Sequence, residues 1–441
     1  MTDKLDLMPE IPPEEEEAWF PSHRLGPREW ARENLFSNWW NGVVTLVLGA
    51  AFLYFGFRVM RFVFVTAEWE IVRRNLTNFM VGRFPREDLW RVWSSTFVLL
   101  LFGTMAAGAF HATTVERAIE AGLEHSTPSW SDRLKRFWPV VMLAVVLLTF
   151  TRSIGPLLVV LGGAAIAVAG RWLGPRLPPV LRHRAWLVLV IGVDIWAELL
   201  GAGVFHWLLS LLGIASWGVG WDDWGGVHLT LFVTVTGILL AFPIGLMAAL
   251  ARRSSLPALR TLSVGYIEFI RGVPLITLLL MGQFMLGFFF PKSLFGLKIS
   301  PPSDVTRAII AITLFTGAYL AEVVRGGLQA VDRGQTEAAL AVGLPTSKVM
   351  RFIVLPQALR AVIPALVGQF ISLFKDTSLL AIIGVLELLN VSEVANAQGD
   401  FLGRGLSSVT LPFVGLIYWV GSYTMSKESR RLERKLGVGE R

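Results

Sequence analysis

Residues able to do chemistry are sparse in this 441-residue chain, and those that stand out are charged groups inside or beside apolar runs. Lys375-Asp376 interrupts the apolar stretch Ala361–Leu386 and is followed by Thr377 and Ser378. Charge at membrane depth is costly and faces a cavity or a partner, and hydroxyls there can bond across helices. This segment is therefore expected to line a translocation path or its gate; a purely structural intramembrane network is the alternative. Glu268 and Arg271 are three apart and share a helix face, which suits either a clamp near the membrane surface or a simple interfacial ion pair. Glu322 and Arg325 repeat that spacing, where an ion pair is the simpler reading. Asp194 and Glu198, four apart, read as a protein-facing packing site. Bond-making chemistry finds no support: there is no GxxxxGK[ST], HExxH or GxSxG pattern, the six His are scattered, and Cys is absent. No metal site, no catalytic residue and no bound cofactor are expected. Nucleic acid is not an expected partner either, because the net charge of +7 lies between apolar stretches.

The elements that must hold these residues are membrane helices. Hydrophobic residues make up 54% of the chain and charged ones 17%, against about 25% charged in a typical soluble domain. A spanning helix needs ~20 mostly apolar residues. In the second half, Leu229–Ala251, Gly272–Pro291, Ala308–Ala321, Ala361–Leu386 and Gly405–Ser426 meet or approach this. In the first half the candidates are Gly42–Phe57, Val92–Ala112, Phe137–Thr151, Ile154–Gly170 and Ala185–Val204, the third and fourth forming a hairpin across Arg152-Ser153. Trp217, Trp221 and Trp224 mark an interfacial aromatic belt on the non-cytoplasmic side. The expected fold is an all-α polytopic membrane protein of about eight to ten transmembrane helices with a five-helix C-terminal core. Its parts are an acidic cytoplasmic tail (1–38), an N-terminal transmembrane extension (39–216), the core (227–425) and a basic cytoplasmic tail (426–441).

Basic residues set the orientation. Arg252, Arg253 and Arg260, the loop 326–360, and the tail with Lys427, Arg430, Arg431, Arg434 and Lys435 alternate correctly as cytoplasmic. Residues 217–227, 291–306 and about 387–404 then lie outside, and both termini inside. Loop 58–91 conflicts: five N-terminal spans put it outside, yet it holds seven arginines, Arg58, Arg61, Arg73, Arg74, Arg83, Arg86 and Arg91. Either the rule breaks there or one weak span is not a span.

Loop 326–360 is built to dock. Asp332 with Gln335 resembles a capping box, and Glu337-Ala338-Ala339-Leu340-Ala341 favours helix. Gly343 can take positive φ and end that helix, with Pro345 two residues on. Thr346 and Ser347 can cap a second helix, in which Val349, Phe352 and Ile353 form a one-sided apolar stripe. Pro356 marks its end or a kink. Two short helices with a sharp turn, held on the cytoplasmic face, suit a groove on another protein.

Glu337-Ala338-Ala339, then Gly343, then Ile353-Val354-Leu355-Pro356 resembles the EAA coupling loop of ABC importer permeases. Thr230–Thr234, Tyr266–Leu275, Ala318–Gly326, Leu355–Arg360 and Lys375–Leu379 are similar to the permeases for polar amino acids, of the histidine, glutamine and general L-amino-acid type, and Phe36-Ser37-Asn38-Trp39 to their extended members. The resemblance implies that loop 332–356 seats in a cleft of an ATPase subunit, with Glu337, Ala338, Ala339 and Gly343 at the core of the contact and Ile353, Leu355 and Pro356 completing the motif. It implies a permease of the cytoplasmic (inner) membrane that has no ATPase site of its own and is not an enzyme, ATP being bound by the partner. The other implied partners are a second permease subunit, like or unlike, an extracytoplasmic solute-binding protein, an amino-acid substrate and membrane lipid. A transporter driven by an ion gradient is the rival; it would predict internal repeats, and none is seen.

Overall fold

The structure is a computed structural model that describes residues 26–120, 122, 135–151, 154–199, 219–220, 223–289, 293–294, 297–298 and 302–436. The chain divides into two units, Met1–Glu68 and Trp69–Arg441. Trp217, Trp221, the connection Arg152-Ser153 and most of the acidic tail lie outside the described residues.

In the first unit, α1 (Pro27–Asn34) leads to α2 (Trp39–Arg61), extended by a π-turn over Phe62–Thr66. Asn38 caps α2 by accepting from the Asn41 amide at 2.8 Å. No residue of α2 is buried within the chain. A helix apolar all round, with every backbone group bonded internally, is suited to lipid.

The second unit begins with α3 (Glu70–Val81) and α4 (Leu89–Glu120), then α5 (Trp138–Thr149), α6 (Gly155–Leu173), α7 (Pro179–His183) and α8 (Ala185–Leu199). All five N-terminal apolar segments form helices, although α5 and α8 have only 12 and 15 described residues. α4 packs against α6 and α8, the contact with α6 depending on Gly170, where a Cβ would lie 2.5 Å from the Leu101 carbonyl oxygen.

The C-terminal core comprises α9 (Gly226–Arg252), α10 (Pro257–Gly272), α11 (Leu275–Met281), α12 (Asp304–Ala330), α13 (Arg333–Ala341), α14 (Thr346–Val349), α15 (Leu355–Asp376), α16 (Leu388–Asn396) and α17 (Ser407–Leu436). α11 continues through a π-turn, Gly282–Leu286, to Phe289. Among the described residues six helices are long and apolar enough to span a membrane, and α10 with the α11 segment forms a further pair bent by 106°. The run expected as one span from Gly272 is thus a broken one. Pro274 causes the break: it has no amide to donate, and Val273 before it is held extended (φ −107°, ψ 133°). A two-residue antiparallel ladder, β1 (Ser293–Leu294) with β2 (Leu297–Lys298), lies in the connection to α12. α17 runs unbroken past Ser426 to Leu436, so the basic tail begins as helix.

α3 resolves the conflict over loop 58–91. Ile71, Val72 and Phe79 are fully buried, packed on α9, α16 and α17. Asn75 and Gln398 exchange side-chain hydrogen bonds (3.1 and 2.7 Å). Gly82 (φ 66°) lies so close to the segment before α9 that a Cβ there would stand 2.4 Å from the Gly225 Cα; only glycine fits both that φ and that gap. Arg73 and Arg74 pair with Glu70, and Arg74 with Asp400 at 3.0 Å. Segment 70–84 therefore sits with residues 225–226 and 386–401, at the end of the core opposite Arg252. Its arginines belong to a folded, paired element rather than to a free loop, the setting in which the charge rule loses its force.

Candidate functional site

The docking loop is built as two exposed helices on a buried footing. The Asp332 carboxylate caps α13 by accepting from the Gly334 amide at 2.7 Å, so the cap forms without the reciprocal Gln335 bond of a capping box. Gly343 has φ 87° with no atom within 4 Å of where a Cβ would sit; its role is conformational, not steric. The Leu344 amide bonds back to the Ala339 carbonyl at 3.2 Å, closing the turn. α14 starts after Pro345 with no side-chain cap, so Thr346 and Ser347 do not act as caps. Instead of ending or kinking at Pro356, the helix runs on through a π-turn, Met350–Val354, into α15. The extra residue absorbs the amide that proline lacks.

Burial sorts the motif. Glu337, Ala338, Leu340, Val342, Gly343 and Phe352 are exposed, Val342 by 84% and Phe352 by 64%. Ala339, Val349 and Val354 are buried and join one hydrophobic cluster with Ala321, Val324 and Leu328 of α12 and Ala358 and Val362 of α15. Ile353 and Leu355 pack on the same cluster, while Pro356 is exposed. Ala339 thus faces the core, not a partner, and Phe352 leaves the expected apolar stripe to point outward. The loop presents apolar surface beside Glu337 while bolted to the membrane helices, an arrangement able to carry a displacement from one to the other.

At the same end lies an ionic cluster. Glu268 and Arg271 do not pair with each other. Arg252 Nη1 reaches Glu268 Oε1 at 3.2 Å and Glu322 Oε2 at 3.3 Å; Arg271 Nη1 lies 3.8 Å from Glu322 Oε2. Arg325 also binds Glu322, its Nε donating at 2.8 Å. One carboxylate, Glu322, gathers three guanidiniums from α9, α10 and α12. Spacing along single helices finds the i, i+3 pair but not this hub, because Arg252 is 70 residues away in sequence.

Lys375 and Asp376 close α15, Lys375 exposed and Asp376 half-buried. Thr377 is fully buried; its hydroxyl donates to the Phe374 carbonyl at 2.7 Å and meets the Tyr418 hydroxyl at 3.3 Å. Ser378 bonds back to the Lys375 carbonyl at 2.7 Å. Of the two hydroxyls, Thr377 bonds across helices and Ser378 stays local. Tyr418 in turn donates to Glu387 Oε2 at 2.9 Å, and Glu387 Oε1 caps α16 through the Asn390 amide at 2.7 Å. Glu387, 0% exposed, links α16 and α17 just beyond the α15 span. Nothing in its local sequence, read as an outer loop, marks it.

A family model described as "Binding-protein-dependent transport system inner membrane component" matches residues 241–422. The glutamate/glutamine/aspartate/asparagine transport system permease protein BztC of Rhodobacter capsulatus is 35% identical, over 94% of this chain and 95% of its own length. The inner membrane amino-acid ABC transporter permease protein YhdY of Escherichia coli K12 is 33% identical, over 93% of each. A solved amino acid ABC transporter with histidines is 30% identical, covering 47% of this chain and 90% of that one, with a TM-score of 0.40. Both full-length relatives span the N-terminal half, so that half is shared with them and is not peculiar to this chain. The match favours no gradient-driven transporter. With the EAA-type loop on its buried footing beneath a bundle of membrane helices, the chain belongs to the polar amino-acid family of ABC importer permease subunits.

Proposed function

We propose that this permease passes polar or general L-amino acids across the inner membrane, with both termini in the cytoplasm and ATP hydrolysed by separate ATPase subunits docked on residues 332–356. The observation that carries this is the two-faced loop: Leu340, Val342 and Phe352 exposed around Glu337, and Ala339, Val349 and Val354 buried in the cluster of α12 and α15. Closure of the ATPases moves α13 and α14, and the cluster passes that motion to the core helices. A second permease subunit completes the path, and a solute-binding protein delivers the amino acid at the end formed by α3 and α16. Lys375, Asp376, Thr377 and Ser378 belong to the path or its gate, and Glu268 and Arg271 to the clasp that holds the core at the ATPase end.

The test is reconstitution with ATPase subunits, a second permease subunit and a binding protein. ATP-dependent accumulation of L-glutamine or L-glutamate that persists in the presence of an ionophore is expected; uptake abolished by the ionophore alone overturns the reading. In the same vesicles Asp376→Ala should cut uptake at least tenfold without lowering the amount of assembled complex. Normal uptake removes Asp376 from the path.

A further inference from the structure

Where α10 and α11 bend apart, they leave a cavity of ≈ 410 Å³ against α12. That volume is within the usual range for small-molecule sites, roughly 300–1,000 Å³. Its walls are apolar, chiefly Leu278, Met281, Met285, Ile310 and Leu314, and Arg307 is the one charged residue lining it. Arg307 stands three residues inside the start of α12, at ~1.5 Å rise per residue about one turn below the end opposite the docking loop.

The guanidinium is positioned but not saturated. Nη1 donates to the Gln283 carbonyl at 2.8 Å and lies 3.4 Å from Asp304 Oδ1. Gly287 lies flat against it: a Cβ there would come within 3.0 Å of Arg307 Cζ. Among the described residues Arg307 Nε, though buried, has no hydrogen-bond partner, and neither has the buried Gln283 Oε1. Unmet donors and acceptors of this kind are expensive in an apolar setting. The π-turn Gly282–Leu286 carries Gln283, and such turns recur at functional sites.

An orphan donor on a cation and an orphan acceptor on the neighbouring side chain match the two ends of one zwitterion. We propose that this cavity is a binding site for a free α-amino acid, Arg307 taking the carboxylate through its Nε edge and Gln283 Oε1 taking the ammonium. Arginine suits this because its fork meets a carboxylate with two parallel bonds. Recognition is confined to the backbone atoms of the ligand, and the apolar walls exclude water around them. The proposal deepens the permease reading and rests on it.

The test uses the reconstituted transporter, with radiolabelled L-glutamine and L-glutamate as probes, for uptake and for equilibrium binding to the purified complex without binding protein. Arg307→Gln should weaken binding and slow uptake at least tenfold at equal amounts of assembled complex, and Arg307→Lys should recover part of both. Gln283→Leu should weaken binding several-fold. Unchanged binding in Arg307→Gln and Gln283→Leu overturns the site. So does a loss of assembly with unchanged binding in the complex that remains, which would mean that the second permease subunit fills the cavity. If Arg307→Gln does not assemble at all, Gln283→Leu decides alone. Wild-type vesicles that accumulate neither amino acid with ATP and binding protein present would instead sink the permease reading.

Discussion

Three side chains carry most of what is specific here, each by a different physical route. Glu322 works by concentration of charge: Arg252, Arg271 and Arg325 converge on one carboxylate, all five members of the cluster lying at one end of the core. Exposed pairs contribute ~0–1 kcal/mol, and breaking buried ones costs about 3–5 kcal/mol. Glu322, with its side chain 22% exposed, lies between these limits. Glu322→Gln should cost on the order of 2 kcal/mol, seen as a lower unfolding temperature in detergent; an unchanged temperature would reduce the cluster to surface decoration. Glu387 works by burial. Removal from water pushes its carboxyl up to about 7 from 4.5, opposed in part by the Leu389 and Asn390 amides and the Tyr418 hydroxyl, with Glu393 adding to the rise. The folded protein therefore holds that proton more tightly than the unfolded chain does. The resulting stability is complete below about pH 4.5 and is lost as pH rises through 7, on the order of 3 kcal/mol. Thermal stability should fall from pH 5 to 8 and the fall should flatten in Glu387→Gln, which keeps the acceptor for Tyr418; equal slopes would refute this. Arg307 works by an unfilled valence, as argued above.

At the scale of elements, the docking loop is a lever whose stiffness comes from its turn. Gly343 at φ 87° has open space around it, so a methyl group would clash with nothing but its own backbone. Gly343→Ala should cost about 1–2 kcal/mol locally, loosening α13 against α14. The expected result is faster proteolysis within 332–349 and weaker copurification of the ATPase subunit, with the membrane helices intact. Retention of both would show that the turn is not what positions the lever. The α10–α11 break is the counterpart in the membrane: Pro274 and the π-turn open a gap that an unbroken helix would have filled.

At the scale of the molecule, α9 and α12 set the polarity of the core. Arg252 and Glu322 meet at the end with the docking loop, while Gly226 lies at the other end against Glu387 and Phe79. The absence of Cys from the sequence makes this simple to test. Single cysteines placed at exposed Arg73 and exposed Lys348 should label from opposite sides of right-side-out vesicles, position 73 from outside. Labelling of both from one side would overturn the topology, and with it the outward placement of α3.

Sequence by itself determined what depends on local composition and spacing. Apolar length located the helices, glycine and proline placement located the docking turn, and Glu337–Pro356 identified the loop. These follow because helix formation, positive φ and lipid exposure depend on a residue and its near neighbours. Tertiary structure alone decided which charges meet. It separated Glu268 from Arg271 and gave each a partner on another helix, turned Ala339 inward and Phe352 outward, and folded the seven-arginine loop onto the core through α3. It also buried Glu387 and left Arg307 Nε and Gln283 Oε1 unpaired beside a cavity. Such facts depend on contacts between residues tens to hundreds of positions apart, where Coulomb attraction and desolvation are set by packing geometry and leave no periodic trace along the chain.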